Sequence, residues 1–182
     1  MSEWTRKTYH LEGNFKWKAR PGYKIFIAGM GDARFDYPED WIIEPQETSV
    51  KFFDRQPPDD ECTLEVSILH LRPDVDWSGI RVADLLLQIG PPPDQEITWR
   101  GEIVQPLRSD VQLAWNEYRY VDPVLKQEAY ARTCLALGGN IQMLITFAFW
   151  VADLKRCDRA WREIVRSIQI GIGPQGLPRV GR

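Results

Sequence analysis

The amino-acid sequence predicts an α+β domain in which two helices cover the faces of a long antiparallel sheet. Alternating apolar and polar residues along 63–71 are typical of a strand with one buried face. Gly138-Gly139-Asn140 separates two apolar runs and is a hairpin signal. A stripe of apolar residues at helical spacing follows near the C-terminus. At 182 residues the chain has the length of one domain.

Strands are predicted through the first half of the chain, wherever short apolar runs lie between turn residues. In the fifth strand, Leu64, Val66 and Ile68 alternate with polar residues. A tight turn is predicted at 29–32, which contains two glycines. The predicted strands are 23–28, 35–38, 41–44, 50–53 and 63–71.

The first helix is predicted over residues 80–89. Ser78 is its expected N-cap, and Gly90 with the three following prolines ends it. Four further strands are predicted after this helix, and the last two form the hairpin at the centre of the sheet. These strands are 97–104, 113–121, 128–137 and 141–150.

The second helix has the clearest pattern, because an apolar stripe runs from Leu154 to Ile168 and charged residues fill the other positions. Four arginines at near-helical spacing could bind phosphates or an acidic partner. The alternative is a solvated amphipathic helix, since Asp158 and Glu163 interrupt the basic face. The arginines are Arg156, Arg159, Arg162 and Arg166.

The sequence divides into an N-terminal arm over 1–22, a domain over 23–170 and a flexible tail rich in Gly and Pro over 171–182. We expect no signal peptide and no membrane span, because no suitable apolar run is present. The three cysteines lack CxxC spacing and suit reduced thiols, which predicts a cytoplasmic location.

The net charge of -3 argues against a nucleic-acid-binding protein, which would present a basic surface. The charge is unevenly distributed, with ten acids and two bases in 36–65 and seven bases and three acids in 153–182. Such asymmetry can mark a docking surface, although solvated faces produce the same pattern.

No residue pattern indicates a catalytic or metal site. His10 and His70 have no zinc-binding spacing. His70 has the strand parity of the buried residues and is expected to face inward. Cys134 and Cys157 are expected to be buried and inert. We therefore expect no cofactor and no enzyme activity.

The loop between the sheet and the first helix carries further candidate interaction residues. Asp74 and Asp76 could bind calcium or a partner, but they lack EF-hand spacing, and solvated turn acids are the alternative. Trp77 is a candidate interface anchor. The alternative for Trp77 is a hydrophobic plug under the helix.

Several motifs resemble the superfamily that includes the PsbP subunit of photosystem II and the yeast Ran-binding Mog protein. Residues 35–41, Phe-Asp-Tyr-Pro-Glu-Asp-Trp, are similar to its F-x-Y-P-x-x-W opening, and 50–54 with 64–68 resemble its strand pair. Later matches are a Tyr-rich strand, an Ala-Arg strand, the hairpin and the last helix. The resemblance covers about 23–170 and implies an α/β/α sandwich around a central antiparallel sheet. It implies no particular activity.

The favoured hypothesis is a non-catalytic module that docks a protein partner or assists an assembly, as a monomer or a homodimer. The alternative is a small-ligand or lipid-type binder with an aromatic pocket between sheet and helix. A hydrolase would gain support if His70 bonded a carboxylate inside an open cleft.

Overall fold

The computed structural model describes residues 17–29, 31–93 and 95–172. A short 3-10 turn leads into the second helix. The elements in chain order are β1 (Tyr23–Ala28), β2 (Ala33–Pro38), β3 (Ile42–Pro45), β4 (Val50–Phe53), β5 (Cys62–His70), α1 (Val82–Gln88), β6 (Glu96–Arg100), β7 (Gln112–Val121), β8 (Glu128–Gly138), β9 (Ile141–Trp150), α2 (Leu154–Ser167) and β10 (Gln169–Ile170).

Seven strands form one antiparallel sheet in the order β3-β4-β5-β9-β8-β7-β6. The central strand β9 pairs with β5 on one side and with β8 on the other. The prediction that the β8–β9 hairpin lies at the centre of the sheet is therefore confirmed. Strands β1, β2 and β10 form a smaller second sheet.

Different elements cover the two faces of the large sheet. On one face, α2 packs Trp161 against Phe147 of β9, with ring centroids 5.9 Å apart, and the small sheet packs beside it. On the other face, α1 buries Val82 and Leu86 against Leu135 of β8. This is the predicted α/β/α sandwich around an antiparallel sheet, and the fold prediction is confirmed.

The aromatic motif at 35–41, which begins in β2, lies in the core. Phe35 packs against Phe52 of β4 with ring centroids 5.6 Å apart, and Trp41 packs against Phe147 at 5.7 Å. The amide of Trp41 donates to the Pro38 carbonyl at 3.1 Å, which closes a turn between the two motif ends. The motif thus fixes a turn and fills the core.

Helix α1 begins later than the sequence predicts, and Ser78 is not its cap. The N-cap residue is Arg81, which makes no side-chain capping bond, and Val82 is the first helical residue. The Ser78 amide instead donates to the Asp76 carboxylate at 2.9 Å. A separate turn then closes on the Trp77 carbonyl before the helix starts. The prediction failed because Ser78 belongs to an earlier turn, in which the Asp76 side chain accepts its amide.

The strand predicted at 97–104 is shorter and interrupted. Strand β6 ends at Arg100, and its pairing with β7 shifts between Ile97 and Trp99. Beyond Arg100, the Gly101 amide donates to the Glu117 carbonyl of β7 at 2.9 Å, and Val104 bridges to Trp115. The shift between Ile97 and Trp99 is a bulge, which adds a residue and bends this edge strand, so that its pairing beyond Arg100 is reduced to isolated contacts.

The predicted arm and tail fall largely on residues 1–16 and 173–182, which lie outside the described residues, so these boundaries stay predictions. Among the helices described here, none is long and apolar enough to cross a membrane.

Candidate functional site

A groove with a volume of about 510 Å³ opens at the end of the large sheet where the β8–β9 hairpin turns. Three segments that are distant in sequence form its walls. They are the loop before α1 (73–78), the segment before β7 (108–112) and the hairpin (137–140). The groove contains two of the predicted interaction residues, Asp76 and Trp77; Asp74 does not line it.

The loop before α1 is held in shape by its own side chains. The Trp77 indole nitrogen donates to the Arg72 carbonyl at 2.8 Å, while the ring packs on the second core beneath α1. The Arg72 guanidinium also donates two hydrogen bonds, of 3.2 and 2.6 Å, to the Asp74 carboxylate. The Trp77 ring therefore packs beneath α1, as the hydrophobic-plug interpretation expected, and Trp77 also lines the groove. That Asp74, Asp76 and Trp77 bind a partner stays a prediction.

The second wall is built around Arg108, a residue that sequence reasoning missed. Its guanidinium donates to the carbonyls of Val165, Arg166 and Ile168 at 3.2, 3.2 and 2.7 Å, and it pairs with Asp110. These carbonyls belong to the last turn of α2 and its cap, which helical hydrogen bonds leave unsatisfied. Arg108 thus links the second wall of the groove to the C-terminal end of α2. The only hint in the sequence is the Arg-x-Asp spacing, which does not identify the distant helix.

The hairpin side is fixed by close backbone packing. A Cβ on Gly138 would lie 2.9 Å from the Ile170 side chain, so no larger residue fits without displacing β10. Gly139 has a φ of +59°, a conformation that glycine adopts without strain. The Leu71 amide donates to the Asn140 carbonyl at 2.7 Å and joins the hairpin to the loop before α1. The groove is therefore formed by restrained segments.

The groove carries ionised carboxylates rather than general acids. A hydrogen bond from Ser78 lowers the pKa of Asp76, and the Arg108 guanidinium lowers the pKa of Asp110. Both groups are charged at neutral pH and cannot serve there as general acids. No histidine or cysteine lines the groove, and the described ranges contain no cluster of three or more metal-ligating residues. Its chemistry suits binding.

The predicted basic face of α2 lies outside the groove lining, and acids pair with much of it. Arg156 contacts Asp153 at 2.9 Å and Asp54 at 2.7 Å. Arg162 contacts Asp158 at 2.6 Å. Arg166 pairs with Glu163, and Arg159 is exposed. That the four arginines bind a partner stays a prediction.

Arg156 contributes to the structure through Asp54, whose side chain is only 2% exposed. One Asp54 oxygen accepts the amides of Glu61 and Cys62 at 2.9 and 3.1 Å, and the other accepts Arg156. Burial alone would raise the pKa of Asp54, but these hydrogen bonds outweigh it and hold the pKa below its usual value. The carboxylate therefore joins β4, β5 and α2 while it is charged.

We predict that Asp54→Asn destabilises the protein at pH 7 by about 1.5–3 kcal/mol, the range for hydrogen bonds to charged groups. Because the folded-state pKa is lowered, this stabilisation is present above the unfolded pKa and is lost as the pH falls through the folded value. Urea unfolding of both proteins between about pH 7 and pH 2 checks this, and the difference should shrink with acid. The control is Asp153→Asn at the more exposed partner of Arg156, with an expected loss of at most about 1 kcal/mol. A difference between wild type and Asp54→Asn that stays constant with pH would contradict the assignment.

His70 does not face inward, so that prediction is wrong. Its side chain is 60% exposed, and its Nε2 lies 3.1 Å from an Asp32 oxygen. The buried alternation of β5 ends before His70, because Val66 is its last buried residue and Ile68 is only partly buried. The histidine–carboxylate contact exists, but His70 does not line the groove. The hydrolase hypothesis therefore gains no support from it.

The cysteines are buried thiols, as expected for Cys134 and Cys157. Burial raises the pKa of Cys134 to about 12, so its reactive thiolate is scarce at neutral pH. Cys62 is also buried and free. None of the three is placed as a nucleophile.

Solved structures share the fold at low sequence identity. Cyanobacterial PsbP (CyanoP) from Synechocystis sp. PCC 6803 has a TM-score of 0.58 and 12% identity, over 90% of this chain and 98% of that one. The Saccharomyces cerevisiae Ran-binding protein Mog1p has a TM-score of 0.51 and 14% identity, over 86% and 98%. A Bacteroides thetaiotaomicron structure scores 0.58 at 14% identity over 82% of this chain, which spans only 49% of that protein. The resemblance to PsbP and Mog is confirmed for the fold.

Sequence comparison identifies a nearer group. An uncharacterised Nostoc sp. (strain PCC 7120) protein, alr1449, is 37% identical over 171 residues, which cover 93% of this chain and 88% of the relative. The family model named Alr1449 matches residues 24–173, which include both helices and every strand from β2 to β10. The chain therefore belongs to the Alr1449 family.

Proposed function

We propose that the protein is a non-catalytic interaction module that docks a segment of a protein partner in the groove. The observation that carries the proposal is the meeting of three distant segments around Asp76 and Trp77. A binding surface requires such restrained walls, because ordering mobile walls on binding would cost affinity. The fold alone carries no function, since unrelated activities share it.

The groove favours a partner segment with an apolar side chain beside a basic one. Val75, which is 39% exposed, and the Trp77 ring supply apolar surface, and tryptophan is enriched among residues that anchor interfaces. The ionised carboxylate of Asp76 supplies negative charge. Arg108 is occupied by the end of α2, so it neutralises Asp110 without recruiting an anion. We place this interaction in the cytoplasm, which the three free thiols favour.

The alternative function, a ligand or lipid pocket between sheet and helix, has less support. Val82 and Leu86 of α1 are fully buried against the sheet and fill the space where such a pocket would lie. The groove lies instead at the sheet end and is open to solvent. A small ligand of the native state would raise the thermal midpoint, and a ligand screen therefore tests this alternative.

The test of the proposed function is affinity capture from the lysate of cells that naturally make the protein. We expect the wild type to retain a partner at near-equal stoichiometry and Ser109→Arg to reduce retention at least about tenfold, because the new side chain fills the groove with positive charge. Ser109 is exposed in the groove lining. Gln105→Arg, on an exposed residue of the same connection outside the lining, is the matched control and should retain the partner. Equal retention by Ser109→Arg and wild type, or no retained protein, would contradict the proposal.

A further inference from the structure

The tip of the β7–β8 hairpin is a rigid turn at the opposite end of the sheet from the groove. One Asp122 oxygen accepts the amides of Val124 and Leu125 at 2.9 and 2.7 Å. The Asp122 backbone bonds the Gln127 carbonyl and the Lys126 amide, each at 2.9 Å. Four hydrogen bonds therefore fix a turn of six residues.

This rigid turn holds two aliphatic side chains in solvent. Val124 is 81% exposed and Leu125 is 64% exposed. Turn residues are usually polar or glycine, because a tip contacts water on most sides. Exposed aliphatic side chains on a preorganised tip can enter a partner's apolar pocket with little ordering cost.

An acidic concavity of about 140 Å³ lies at the base of this tip. Tyr120 lines it from β7, Asp122 lines it from the start of the turn, and Trp150 lines it from β9. Asp60 and Glu61 line it from the loop before β5. The aromatic rings and the carboxylates together suit a cationic side chain, because cations bind aromatic faces and pair with carboxylates.

The charge around the tip is negative. Two bases lie in the turn (122–127) and in the loop between β4 and β5 (54–61). They are Lys126 and Arg55, and Arg55 pairs with Glu61 at 3.2 Å. Besides the buried Asp54, five acids lie in or beside these segments: Asp59, Asp60, Glu61, Asp122 and Glu128. An acidic rim repels anionic membranes and favours a basic protein surface.

We propose that the tip and the acidic concavity form a second docking surface, for a protein whose apolar pocket is rimmed by lysine or arginine. Val124 and Leu125 enter the pocket, and a basic side chain of the rim enters the concavity beside Trp150. This surface goes beyond the groove, because the ten residues of β7 separate the two by about 30 Å at the usual rise per residue. The chain can hold two proteins at once in this arrangement, as an adaptor does.

The experiment places a photo-crosslinking amino acid at position 125 of the full chain in the natural host cells. The same amino acid at position 107 is the control, since Leu107 is fully exposed and lies outside both surfaces. We expect an adduct with one protein from position 125 only. That protein is then purified, and its Kd for the wild type and variants is measured by calorimetry at low and high salt.

Val124→Ser/Leu125→Ser should weaken this Kd at least about tenfold, because it removes the apolar anchors. Asp60→Asn/Glu61→Gln should weaken it less and remove most of its salt dependence. Ser109→Arg in the groove should leave it unchanged, which separates this proposal from the proposed function. The proposal is overturned by no adduct specific to position 125, by an adduct with a second copy of the chain, by an unchanged Kd in the tip variant, or by tip-dependent sedimentation with phosphatidylserine vesicles.

Discussion

Replacing Arg132 with alanine is expected to destabilise the protein by about 3–5 kcal/mol, the cost of breaking a buried ion pair. The Arg132 side chain is only 3% exposed, and it lies on β8 beneath α2. It contacts Glu117 of β7 at 2.8 Å and Asp158 of α2 at 3.1 Å. Alanine would leave both carboxylates without this cation and would open a cavity under the helix. Urea unfolding at neutral pH measures the loss.

Two further substitutions separate the charge from the packing. The Arg132 guanidinium lies 5.2–5.8 Å from the ring centroids of Trp115, Phe149 and Trp161, so an apolar side chain of similar length keeps much of this contact. One guanidinium nitrogen is buried without a hydrogen-bond partner among the described residues, a cost that methionine removes. Arg132→Met should therefore lose less than Arg132→Ala. Arg132→Lys should lie between them, because an ammonium cannot reach both carboxylates as a planar guanidinium does. An alanine variant as stable as the methionine variant would contradict the packing part of the argument.

The longer strands and the second helix could be predicted from the sequence because the apolar periodicity that indicates them is local. The alternation from Ile141 to Phe149 identified β9, and its odd residues are all buried. The apolar stripe of α2 likewise identified Trp161 as buried. Each signal depends on residues within a few positions of one another, so the local period was sufficient.

Features that depend on distant pairing could not be predicted. Arg132 was read only as part of a strand, since its partners Glu117 and Asp158 lie on two other elements. Arg108 bonds carbonyls nearly sixty residues away, and carbonyls carry no side-chain signal. The inward orientation predicted for His70 extended the alternation of β5 past Val66, its last buried residue. These errors share one cause, which is that a local pattern does not show where tertiary contacts end.

Only part of the groove lining was predicted, because local patterns do not show which distant segments meet. Trp77 and Asp76 were identified because an acid and a tryptophan in a loop are informative by residue type. The walls opposite them, 108–112 and 137–140, contain ordinary loop and hairpin residues. Only the topology, which places the start of β7 and the β8–β9 turn at the same sheet end, brings them beside the loop before α1.

Trp161→Ala is expected to destabilise the protein by about 3–5 kcal/mol through the cavity it leaves. Trp161 is 1% exposed, stacks on Phe147 and meets Trp115 edge-on with ring centroids 5.6 Å apart. Its indole nitrogen is buried without a hydrogen-bond partner among the described residues. Trp161→Phe keeps a ring, removes that unsatisfied donor and leaves a smaller cavity, so we expect it to lose less stability than Trp161→Ala. Guanidinium chloride unfolding of both variants measures the contrast, and equal losses would show that the ring stacking contributes little.

The two largest predicted losses are expected not to add. The Arg132 guanidinium lies over the Trp161 ring, and both join α2 to the same sheet face. Once Trp161 is truncated, the guanidinium gains access to water, so its removal should then cost less. The double variant Arg132→Ala/Trp161→Ala should therefore lose about 0.5–3 kcal/mol less than the sum of the single variants. Simple additivity would mean that the cation and the ring stabilise α2 independently, and the sheet–helix contact would then consist of separate packing and ionic parts.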